Sequence, residues 1–122
     1  MAEDIKKERR RYPRHYAVVA DYKLADSDSV KVGQVKNISA VGICLILYDN
    51  VKIGTGLELE IYLPSTASSI LAKGRVVWVK EYKIISELKP RFDAGIEFLE
   101  IQEADKQKIS QYVSSVIPKD IP

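Results

Sequence analysis

Apolar and polar residues alternate along most of the chain after residue 16. "YAVVADYKL" sets Val18, Ala20, Tyr22 and Leu24 on one face, and "LELEIYL" sets Leu57, Leu59, Ile61 and Leu63 against Glu58, Glu60 and Tyr62. A period of two predicts strands that bury one face. "GICLILY", residues 42–48, is apolar on both faces and predicts a central strand. "VKVGQVKNIS" leads into it, with Gly33 as the expected bulge or kink. "LAKGRVVWVKEYK" predicts one long strand, and "FDAGIEFLE" another that points Phe92, Ala94, Ile96 and Phe98 inward. Turn residues punctuate these runs in "ADSDS", "DNVKIGTG" and "PSTASS", while "IISELKP" is an irregular connection. Short strands with no helices between them predict a mainly β fold, an antiparallel sheet closed into a small barrel, because closure removes exposed edges.

The period changes near Glu103. Ile109, Tyr112, Val113, Val116 and Ile117 follow helical spacing, and Pro118 stops the run. One amphipathic C-terminal helix is expected, lying across the barrel and covering an opening. The 122 residues suffice for a single core. The expected organisation is a flexible basic arm at 1–15, a barrel plus helix at 16–117 and a tail at 118–122.

Charge changes this picture only at the N-terminus. Lys6, Lys7, Arg9, Arg10, Arg11 and Arg14 stand against Glu3, Asp4 and Glu8, so the first fifteen residues more than account for the chain's net charge of +2. The single cysteine, Cys44, sits inside an apolar run and is expected to be a buried structural thiol. No stretch approaches the roughly 18 apolar residues of a membrane span, and "MAEDIKKERR" has no apolar signal core. A cytoplasmic protein without membrane insertion is expected.

Catalytic constellations are missing from the sequence. His15 is the only histidine, which leaves no His pair for a metal. A cysteine between Ile43 and Leu45 in a core strand is a poor nucleophile for it to activate. "GTG" at 54–56 lacks the spacing and the lysine of a phosphate loop. The chain is expected to bind rather than to catalyse.

Two stretches offer binding chemistry. In "RRRYPRH", residues 9–15, Pro13 disfavours a helix through Tyr12. Arg10 and Arg14 would stand about 13 Å apart in an extended arm and about 6 Å apart in a tight turn. Their planar forks suit phosphates or a guanine edge. In "NISAVG", residues 37–42, Asn37 and Ser39 share a strand face, and Gly42 tolerates positive φ and close backbone approach. By themselves these residues are better explained as a hydrogen-bonded turn, and the arm as a solvated basic tail.

The pair of motifs, Arg-x-x-x-Arg ahead of the first strand and Asn-x-Ser-x-x-Gly at the end of the second, resembles the PilZ domain family of bacterial cyclic di-GMP receptors. "GRVVWV" (74–79), "DAGIEF" (93–98) and the closing helix continue the resemblance over roughly residues 8–117. It implies a barrel of the split-barrel type with cyclic di-GMP as ligand. Arg10 and Arg14 would grip guanine and phosphate, Asn37 and Ser39 would bind from the barrel side, and Gly42 would leave room. Arg9 is a secondary residue, associated in relatives with two intercalated ligand molecules instead of one. The implied partner is a protein target: a flagellar motor component, exopolysaccharide synthesis machinery, a pilus protein or a transcription regulator. Two alternatives stand beside it. One is a small barrel for single-stranded nucleic acid, against which Tyr22, Tyr62, Trp78 and Tyr82 form no evident row. The other is an adaptor that binds proteins without a ligand.

Overall fold

The computed structural model describes residues 18–64, 66–83 and 89–116. Among these, six strands precede one helix: β1 (Val19–Leu24), β2 (Lys31–Ile38), β3 (Gly42–Leu47), β4 (Gly56–Tyr62), β5 (Ile70–Tyr82), β6 (Arg91–Ile101) and α1 (Glu103–Val116). Every neighbouring pair of strands is antiparallel. The sheet closes in the order β1-β2-β3-β6-β5-β4, with β4 pairing back onto β1. The mainly β barrel with a C-terminal helix is therefore the fold. The basic arm, most of the "IISELKP" connection and residues 117–122 lie outside the described residues.

Alternation places the core as expected. Val18, Ala20 and Tyr22, then Leu57, Leu59, Ile61 and Leu63, are all buried. Strand β3 lies between β2 and β6, and its inward Ile43, Leu45 and Leu47 join the same cluster. Helix α1 adds Ile109 and Tyr112 to that cluster, with Val113 and Val116 packed against it. Its first turn carries Glu103 and Asp105, which suit the positive end of the helix dipole. The amides of Asp105 and Lys106 donate to the Gln102 carbonyl.

The expected irregularity at Gly33 does not form, since Gly33 pairs regularly with Ala20. The bulge falls three positions later. Val35 pairs with Leu45 and Asn37 with Cys44, so Lys36 is the extra residue of β2. A second bulge makes Val77 extra in β5, between the pairs Val76–Ile96 and Trp78–Gly95. A third makes Leu99 extra in β6, between Phe98–Gly74 and Glu100–Lys73. Each extra residue reverses which face the following side chains take, because the strand period is two.

Strand β6 also departs from simple alternation in its burial. Asp93 and Gly95 point outward by register yet are buried beside the inward Phe92, Ala94 and Ile96. Their cover comes from side chains on the outer face of the sheet, not from the core.

Candidate functional site

Two of the bulges build one surface. Strict alternation from Val35 would send Asn37 inward, and strict alternation from Val76 would send Trp78 inward. With Lys36 and Val77 inserted, both turn outward, and they fall on the same rung: Asn37 pairs with Cys44, Cys44 with Gly95 and Gly95 with Trp78. At its ends the row presents an exposed Asn37 and a Trp78 that is 46% exposed. At its centre Gly95 has no side chain, and the indole ring of Trp78 lies where a Cβ would be. The carboxamide of Asn37 has no partner among the described residues.

The loop after Asn37 has the turn chemistry its sequence suggests. The Val41 amide donates to Ser39 Oγ at 3.2 Å, and the Ser39 amide donates to the Gly42 carbonyl at 2.9 Å. Ser39 thus accepts within the turn while its hydroxyl hydrogen stays available to donate. The Phe98 amide donates to the Val41 carbonyl at 2.9 Å, tying this corner to β6. Gly42 does not use positive φ; among the described glycines that conformation belongs to Gly54, at 95°. What Gly42 supplies is close approach. A Cβ there would stand 2.5 Å from the Ile96 carbonyl oxygen.

The neighbouring outer rung is charged. Lys36 donates to Asp93 Oδ2 at 2.7 Å, and this bond raises the lysine above its ordinary pKa. Burial raises the Cys44 thiol, with the nearby Asp93 carboxylate adding to the effect. Cys44 is accordingly a protonated, buried structural residue at neutral pH. On the row's other side Arg75 pairs with Glu97. Beyond Gln34 and Ile46 the outer face dips into a groove of about 480 Å³, whose far end is held by Tyr22 and Lys31 donating to Asp49.

Of the site residues expected from sequence, Asn37, Ser39 and Gly42 come together at the end of β2 and the start of β3. Arg9, Arg10 and Arg14 lie outside the described residues. Trp78 is the residue that sequence reasoning missed. The aromatics do form a short line: Trp78 and Tyr82 stand on the outer face of β5 with Lys80 between them. A signal for it exists in the sequence. Val76 and Val79 are three apart in a strand and both packed inward, which only an extra residue between them allows.

Among the described residues no group of three or more His, Cys, Asp or Glu side chains gathers to hold a metal ion. Nor is any described helix long and apolar enough to cross a membrane.

Comparison with known proteins follows the same lines. The family model for the PilZ domain matches residues 8–115. Among solved structures, MrkH of K. pneumonia in its apo state aligns with a TM-score of 0.70 at 15% identity, covering 84% of this chain and 46% of that one. The PilZ domain of YcgR from Escherichia coli, solved with c-di-GMP, aligns at 0.63 and 15% identity, covering 81% and 80%. The inhibitor of motility MotI/DgrA from Bacillus subtilis aligns at 0.62 and 25% identity, covering 88% and 53%. The chain therefore spans about half the length of MrkH and MotI. No curated protein matches the sequence.

Proposed function

The chain belongs to the PilZ domain family, and from that premise we propose that it is a receptor for cyclic di-GMP, signalling to a protein partner without chemistry of its own. Arg10 and Arg14 hold guanine and phosphate from the N-terminal side. Asn37 and Ser39 bind from the barrel side, and Trp78 offers its exposed face for a base to stack on. Arg9 is the secondary contact, disposing the site toward a second, intercalated ligand molecule. Neutralising the clustered arginines draws the arm over the barrel face, and that changes the surface a partner meets.

The observation that carries this reading is the register of β1 on β2. Val19 pairs with Gln34, and the Val35 amide donates to the Val18 carbonyl at 3.4 Å. The chain therefore enters the barrel beside the end of β2, where the bulge turns Asn37 outward. The first described residue thus lies next to the strand that leads into the Ser39 turn, which supports the reading that the two motifs serve one ligand. The YcgR PilZ domain, solved with c-di-GMP, shares this fold, and the MotI inhibitor of motility supports a protein target as the output.

Calorimetric titration with cyclic di-GMP tests the proposal. Arg10→Ala and Arg14→Ala should each cost about 1–3 kcal/mol, the scale of a bidentate arginine–guanine contact, or about five- to 150-fold in Kd. The same titration gives the stoichiometry. Wild type and both variants sharing one weak signal would sink the receptor reading.

A further inference from the structure

One step along the outer face from the Asn37–Trp78 row lies a cluster that this reading does not use. Its centre is the ring of Tyr82. The Arg91 guanidinium stands 4.8 Å from the ring centroid, Lys80 Nζ 5.2 Å and Lys36 Nζ 5.8 Å. Under them lies Asp93, 1% exposed, which accepts from Lys36 and has Arg91 Nε 3.7 Å from its other carboxylate oxygen. Three cations thus gather at one ring, and two of them, Lys36 and Arg91, share a single carboxylate.

Their donors are not used up. Among the described residues Lys80 has no acidic partner within ion-pair distance, and the Arg91 Nε donor is buried without a hydrogen bond. Contact with the ring offsets part of the repulsion among the cations. The cluster still carries a surplus of positive charge that an added anion would satisfy. Arginine is well prepared for that anion, because a guanidinium packed on a ring has its face occupied and its N–H edge free.

Position relates the cluster to the candidate site. Lys80 follows Trp78 by two residues, Asp93 precedes Gly95 by two, and Lys36 immediately precedes Asn37. Asp93 and Lys80 are themselves paired across β6 and β5. Lys80 and Asp93 therefore sit about 7 Å along the strands from Trp78 and Gly95, and Arg91, two residues further on, reaches back to within 3.7 Å of Asp93. The step along the strands is the reach of a nucleotide whose base lies at the row and whose phosphate lies off it.

We propose that Lys80 and Arg91 form a phosphodiester subsite on the barrel itself, with Tyr82 as its floor and Asp93 holding Lys36 and Arg91 in place while it is empty. A phosphate oxygen would accept from the Arg91 edge and from the Lys80 ammonium, and Lys36 would stay on Asp93. The subsite rests on the receptor reading and extends it: the barrel, and not only the arm, contributes phosphate contacts.

The test uses the full chain and cyclic di-GMP at several salt concentrations. Lys80→Gln and Arg91→Lys should each weaken binding about two- to fivefold, the scale for partly exposed charge pairs, and the double variant about tenfold. Lys80→Gln and the double variant should flatten the dependence of log Kd on salt, whereas Arg91→Lys, which keeps its charge, should leave the slope unchanged. In ³¹P NMR of the bound ligand, a phosphorus resonance displaced by the wild-type protein should move back toward its free position in Lys80→Gln. Melting of Lys80→Gln should match wild type, since Lys80 is exposed. If wild type binds and the variants keep its Kd and its ³¹P shifts, the subsite is wrong and the receptor reading survives. Weaker binding of Lys80→Gln with unchanged salt slope and ³¹P shifts would also overturn it, as an indirect effect. If wild type fails to bind, both fall together.

Discussion

Gly42→Ala separates two explanations of the last residue of the Asn-x-Ser-x-x-Gly motif. If that glycine leaves room for a ligand, a methyl group there should spare the fold and cost affinity. The structure predicts the opposite emphasis. The added Cβ would stand 2.5 Å from the Ile96 carbonyl oxygen, a backbone atom that cannot rotate away. Strand β3 cannot easily retreat either, because the Ser39–Gly42 and Phe98–Val41 hydrogen bonds hold this corner. Overpacking of this kind costs about 1–3 kcal/mol, and the lower entropy of the unfolded alanine chain returns up to about 1 kcal/mol of that. A net loss of about 1–2 kcal/mol is expected. With about 2.1 cal/mol/K of unfolding entropy per residue over 122 residues, Tm should fall by about 4–8 °C. Calorimetric or circular-dichroism melts of the ligand-free protein measure this directly. An unchanged Tm combined with lost cyclic di-GMP affinity would refute the close-approach argument.

Four further substitutions have outcomes that the structure sets. Asn37→Asp should tighten cyclic di-GMP binding about two- to fivefold if residue 37 accepts from a guanine N–H, because a charged acceptor strengthens that bond; weaker binding by calorimetry would mean that it faces phosphate. Gly95→Ala should lift the only tryptophan off β6, shifting its fluorescence to the red. Its Tm should drop less than that of Gly42→Ala, since a surface side chain moves instead of backbone; an unmoved emission band would contradict the placement of Trp78. In base, burial together with Asp49 raises Tyr22 from 10.0 to about 12. Between those values the unfolded chain loses a proton that the folded chain keeps, so stability falls as pH rises, and denaturation of Tyr22→Phe should show a shallower loss there. In acid the sign reverses. The Lys31 hydrogen bond holds Asp49 below its ordinary value, so its contribution is lost as pH falls through the folded-state pKa, and Asp49→Asn should flatten that limb.

Much of the architecture was legible in the amino-acid sequence, because a side-chain period of two needs no knowledge of partners. "LELEIYL" identifies β4 and its buried face, "GICLIL" identifies a strand covered on both sides, and the spacing of Ile109, Tyr112, Val113 and Val116 identifies α1. The two motifs, in order and followed by these strands, identified the family. What alternation could not supply was phase. Val35 and Ile38, Val76 and Val79, Phe98 and Ile101 are apolar pairs three apart, and all six side chains pack in or against the core. An extra residue between the members of each pair satisfies both, and the bulges at Lys36, Val77 and Leu99 do so. Gly33, the residue whose type suggested a bulge, needs none, since its neighbours already alternate correctly.

The sequence by itself determined which stretches become strands and that a polar turn ends the second of them. Only the tertiary structure decided what that turn faces. Burial of Ile38 and Val79 forces the extra residues, and those residues swing Asn37 and Trp78 onto one outer rung. Gly95 makes room for the Trp78 indole over β6, and Asp93 anchors Lys36 beside this row, from a strand 57 positions away in the chain. Local pattern fixes which residues seek the core. Where the remaining ones converge depends on register between strands, which pairing alone decides.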